Sequence, residues 1–170
     1  MLRAFRSDER GVAAVEFALV GGFLMMALLN VAEVSRYAYQ ATQVMSASQA
    51  GAQAVIIKCD TSHVPATINC PDAAAAVTMA LQGTSLGANV TLTGGLQEGW
   101  YCLSLQGALQ RMSDAGSKPA NCGAAGNPAA AAGLYVKVNA VYQYQAMFPG
   151  LTIAESFSPT IARSAWMRLL

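Results

Sequence analysis

No proline interrupts this chain before Pro65, and from Val12 to Ala32 nearly every residue is apolar. That stretch constrains the fold more than anything else in the sequence. Phe17 to Ala32, with Val12 to Val15 on the other side of Glu16, gives about 20 residues, enough for a helix to cross the roughly 30 Å hydrocarbon layer of a bilayer. Beyond it, apolar or small residues recur at Val34, Tyr37, Ala41, Met45, Ser48, Ala52 and Val55, in helical steps of three and four. Gln40, Gln43, Gln53 and Arg36 are read onto the other faces. A helix over Val12–Ile57 is about 69 Å long at 1.5 Å per residue. Its first half is membranous, about residues 12–34, and its second half is amphipathic and needs a cover.

Charge gives a direction. Arg3, Arg6 and Arg10 precede the apolar run, partly offset by Asp8 and Glu9, and only Arg36 follows closely. Such a bias leaves Met1–Gly11 as a cytoplasmic leader and the remainder outside. A cleaved secretory signal fits poorly, because no small-x-small site follows the run until Ala50-Gly51-Ala52. An uncleaved signal anchor, holding an envelope scaffold or binding protein that keeps its leader, is the competing reading. A net charge of +1 with 11% charged residues offers no phosphate-binding surface, so nucleic acid is not an expected partner.

The remainder, residues 58–170, reads as an αβ domain. Cys59 to Pro71 reads as a loop. Asp72 is placed to cap a short helix that Gly83 stops. Val90–Thr93 and Trp100–Leu105 read as strands, while Ser104–Met112 is open between strand and short helix. Ala115–Gly133 reads as a long exposed loop. Leu134–Phe148 is the clearest strand, with a parity switch near Ala140 and Val141 that hints at a bulge or a change of exposed face. Phe157–Met167 reads as a last strand. The fold class expected is α+β, a long N-terminal helix packed on a mostly antiparallel C-terminal sheet. Cys59, Cys70, Cys102 and Cys122 all lie in the part read as external, where an even count favours disulfides. Three pairings are possible; the local one would close two short loops.

Glu16 is the costly residue. A carboxylate at the centre of a bilayer costs about 2.5–3.5 kcal/mol on insertion scales, and less near the interface. It follows Gly11 in the run R-G-V-A-A-V-E-F. That run, the long helix and the cysteine-bearing tail resemble the TadE-like minor pilins (pseudopilins) of the Tad, or Flp, type IV pilus system. The resemblance is specific over residues 10–54 and general in the tail. It implies a type IV pilin-like fold and cleavage between Gly11 and Val12 by a membrane-embedded prepilin peptidase. Glu16 then becomes the fifth residue of the mature chain and pairs with the new α-amine of a neighbouring subunit. It further implies that Phe17, Leu19, Phe23 and Leu24 form a hydrophobic assembly helix. The implied partners are the peptidase, other pilins, the Tad assembly machinery and the bacterial inner membrane. The implied role is in pilus assembly and surface adhesion, either from the membrane with the C-terminal domain periplasmic or within an extracellular filament.

Other motifs carry less. Cys59, Asp60, His63 and Cys70 form a zinc candidate that competes with a disulfide beside a solvated histidine. Glu33 and Arg36 read as an exposed helix pair worth about a few tenths of a kcal/mol, with a subunit contact as the competing role. Gly21-Gly22 either admits a close helix neighbour or is simply tolerated. Tyr135, Tyr142 and Tyr144 read as sheet surface in preference to an adhesive site. Neither a catalytic constellation nor a cofactor motif stands out, so no enzyme, no cofactor and no metal are expected.

Overall fold

Helix α1 runs unbroken over Glu9–Lys58 in the structure, a computed structural model that describes residues 9–170, without the side chains of Glu9, Arg10 and Thr61. The leader residues up to Asp8 lie outside the described residues. An alanine-rich segment without proline has no reason to break, since each interior amide finds its carbonyl four residues back. From the first described residue the chain is helical, so α1 includes Gly11, and it ends one residue after Ile57.

The chain divides into two compact units. The first joins the described residues up to Tyr39 with Tyr144–Pro159; the second holds Gln40–Gln143 with Thr160–Leu170.

In the second unit, α1 buries Gln40, Ala41, Val44, Ala47, Ser48, Gly51, Ala52 and Val55. This stripe differs from the one expected: Met45 is exposed, while Gln40 points inward. Alanines and serines occupy so many positions that composition alone does not fix which face turns in. Gly51 marks the closest approach. A Cβ added there would lie 3.1 Å from Val138, 3.2 Å from Val77 and 3.3 Å from Leu81. Val77 and Leu81 belong to α3 (Ala73–Gln82), which follows the four-residue α2 (Ala66–Asn69). Both α1 and α3 thus close on one sheet, and the observed class is α+β.

The sheet has five antiparallel strands: β1 Val90–Leu92, β2 Gln97–Leu103, β3 Leu109–Asp114, β4 Gly133–Gln143 and β5 Thr160–Arg168. β4 is its hub. One side pairs with β5 from Tyr135↔Arg168 to Gln143↔Thr160. The other pairs first with β2 and then with β1. Leu134, Val136, Val138 and Ala140 are buried from β4, joined by Val90, Ile161 and Cys102. Each fully buried valine or leucine contributes about 1.5–3 kcal/mol.

Several local expectations are corrected. The register of β4 is continuous through Ala140 and Val141; the irregularity lies between Trp100 and Tyr101, where β2 meets β3. β4 ends at Gln143, not Phe148; Tyr144–Pro159 falls in the first unit. The Cys59–Pro71 segment holds a 3-10 turn and α2. Asp72 makes no side-chain capping bond; its carboxylate lies 3.7 Å from Lys58 Nζ. The ambiguous stretch resolves as β3, beginning at Leu109.

Candidate assembly site on the N-terminal helix

In the first unit, Gly11, Val12, Glu16, Phe17, Leu19, Phe23 and Leu24 are all exposed on α1. Steps of four, three and four residues set Val12, Glu16, Leu19 and Phe23 along one face. Phe17 and Leu24, seven apart, run beside it. Phe17 is 80% and Phe23 76% exposed, so bulky apolar surface stands uncovered around a carboxylate. Gly11 has open space where a side chain would be, and so have Gly21 and Gly22. The bond after Gly11 lies within helix, so a protease that needs extended backbone must first unwind that end of α1. While the bond is intact, the Val12 nitrogen is a neutral amide and offers Glu16 no charge. Among the described residues, α1 is the one helix long and apolar enough to cross a membrane, and its apolar stretch is unburied.

Two turns beyond that stripe the first unit holds a cluster that sequence reasoning missed. Glu33 is buried, with 1% of its surface exposed, which overturns its reading as half of an exposed pair. One carboxylate oxygen accepts the Tyr144 hydroxyl and, at 2.9 Å, the Met147 amide. Arg36 Nη1 stands 3.9 Å from the same oxygen and donates to the Gln145 carbonyl at 3.1 Å. One turn earlier, the Asn30 side chain donates to the Met26 carbonyl and accepts the Ile153 amide, both at 2.8 Å. The Tyr37 ring meets Tyr144 edge-on at 4.9 Å and Phe157 at the same distance, tilted. Tyr144 is therefore a buried clasp and not sheet surface. Tyr135 does pack on the sheet, edge-on to Tyr101. The sequence signal for the cluster was present in Asn30 and Glu33, two polar residues at the end of an apolar run, but their partners lie more than a hundred residues away.

The second unit places the cysteines in the local pairing. Cys59 bonds Cys70 and Cys102 bonds Cys122, with Cα separations of 5.9 and 5.6 Å. The first bond removes both sulfurs from the zinc candidate. His63 instead lies 2.8 Å from Asp60. The Ser62 hydroxyl, then His63, then the Ser62 amide hold the Asp60 carboxyl down at about 2. Beside this loop, buried Glu98 on β2 accepts the Ala66 amide at 3.0 Å and the Thr67 amide and hydroxyl at 2.8 Å. A carboxylate across the first turn of α2 satisfies amides that a helix start leaves open.

The model of the family described as TadE-like protein matches residues 11–53, opening at Gly11 and ending within α1. No curated protein and no solved structure matches the chain. Over residues 11–53 the chain is therefore similar to the TadE-like family, a family of the Tad pilus system.

Proposed function

We propose that this chain is a minor pilin, or pseudopilin, of a Tad (Flp) pilus, cut by a prepilin peptidase after Gly11 and acting in pilus assembly and surface adhesion. It crosses the inner membrane once, with its N-terminus cytoplasmic and residues 58–170 outside, where two disulfides form. The observation that carries the reading is the family match opening at Gly11, on a helix whose Val12–Glu16–Leu19–Phe23 face is exposed. Cleavage creates an α-amine with a pKa near 8, mostly charged at neutral pH. A cation at a helix N-terminus opposes the macrodipole. Glu16, one turn away on the same or a neighbouring chain, offsets it and pins the axial register of incoming subunits. Breaking a buried pair of this kind costs about 3–5 kcal/mol.

The test is the mass of the chain extracted from membranes of peptidase-competent cells. The expected species begins at Val12. An intact Met1 start sinks the processing claim and favours a signal-anchored scaffold. A Glu16→Ala chain is expected to be processed but to fail in assembly; normal assembly would remove Glu16 from its role.

A further inference from the structure

We infer that the loop between β4 and β5 is a second membrane contact, seated in the interfacial layer of the bilayer that α1 crosses. This rests on the reading of α1 as a membrane span. The loop's depth is set by its hydrogen bonds. The Ile153 amide reaches Asn30, two residues inside the end of the apolar run, and the Met147 amide reaches Glu33, just past it. At 1.5 Å per residue, these contacts straddle the end of that run within about 5 Å.

The loop's composition suits that depth. From Tyr144 to Ala154 it has no charged residue, and Met147, Leu151 and Ile153 are 56%, 56% and 59% exposed. The first charge, Glu155, is folded back to accept the Gly150 amide at 2.5 Å. One turn past Glu33, the Tyr37 ring meets Tyr144 edge-on at 4.9 Å, two aromatic rings close to where aromatic belts sit at membrane–water boundaries.

The backbone makes the strongest case. Irregular chain at the edge of hydrocarbon must have its polar groups satisfied without bulk water. The polar side chains where the run ends do this: Asn30 takes the Ile153 amide, Glu33 takes the Met147 amide, and Arg36 supplies the Gln145 carbonyl. Within the loop, the Leu151 amide bonds the Phe148 carbonyl. Beside exposed Gln145, the large side chains left pointing outward are apolar Met147, Leu151 and Ile153, and Leu28 and Val31 are likewise exposed on the helix.

The experiment reconstitutes the full chain, well diluted, in phosphatidylethanolamine–phosphatidylglycerol vesicles carrying a lipid with a diazirine high on its acyl chain. Irradiation followed by peptide mass spectrometry maps the adducts. Adducts are expected both on the apolar run of α1 and on the Met147–Ile153 peptide. A Leu151→Glu, Ile153→Glu chain with both disulfides intact is expected to lose the loop adducts and keep those on α1. Adducts on α1 with none on the loop, whether the loop faces water or a second copy, overturn the inference and leave the span standing. Loop adducts that persist in the double variant overturn the role of these two side chains. No adducts on α1 overturn the span itself.

Discussion

Replacing Glu33 by alanine removes the acceptor that holds the β4–β5 loop to α1. In the intact chain its carboxylate takes the Tyr144 hydroxyl and the Met147 amide, with Arg36 beside it. A hydrogen bond to a charged group is worth about 1.5–3 kcal/mol. The two bonds together are worth about 3–6 kcal/mol, and the loop's own opening free energy caps the effect. About 3 kcal/mol is the expected loss of local stability, which is on the order of 100-fold in an opening equilibrium. Hydrogen exchange at the Met147 amide reads this directly. Glu33→Gln keeps one carbonyl acceptor of the same reach but loses the charge. It should cost about 1 kcal/mol, or roughly fivefold faster exchange. Tyr144→Phe should fall between the two, since it removes one donor and leaves the Met147 bond. Amides of Val136 and Val138 on β4, followed in the same experiment, report the second unit and should not change. Equal protection of Met147 in the parent and in Glu33→Ala would refute the reasoning, because the carboxylate would then not be what holds the loop.

Other substitutions test the second unit. Gly51→Ala gains about 0.5–1 kcal/mol of helix propensity, but three methyl groups from two elements crowd the new Cβ at 3.1–3.3 Å. Overpacking costs about 1–3 kcal/mol, so a net loss near 1 kcal/mol is expected, and about 3 kcal/mol for Gly51→Val. Thermal unfolding measures both, and an alanine variant more stable than the parent would show that the three elements have room to part. Glu98→Ala strips the acceptor from three donors at the start of α2 and should cost about 3 kcal/mol locally. Faster exchange at the Ala66 and Thr67 amides, only partly restored in Glu98→Gln, is the signature; unchanged exchange counts against the capping role.

The parts of this molecule visible in its sequence are those that depend on near neighbours. Absence of proline and a run of helix formers announce α1, and alternation announces β4. Gly11 and Glu16 are read together because only four residues separate them. Glu33 was misread because a glutamate three residues before an arginine looks solvated until Tyr144 arrives from another part of the chain. Gln40 was placed outside for the same reason, since polarity argues for exposure and only packing reverses it. Gly51 gave no signal: a glycine amid alanines looks neutral until Val138, Val77 and Leu81 converge on it. Glu98 and α2 hid each other, because a four-residue helix has too little periodicity to detect and its cap lies across the sheet.

The central position of β4 dictates an order of events during synthesis. A ribosome delivers β1, β2 and β3 long before residues 133–143 exist. Of those three, only β2 and β3 have a neighbour to pair with at that stage. All four cysteines precede β4, so both cross-links are available for oxidation while the sheet is still open. Closure then comes late, when one segment meets β1, β2 and finally β5, and sequence-distant pairing of this kind is slow. A premature stop before Gly133 leaves a cross-linked chain with a lone hairpin and exposed strand edges, the sort of species that aggregates. One after Gln143 spares the strands already delivered and deletes the edge strand β5 along with the loop that Glu33 grips.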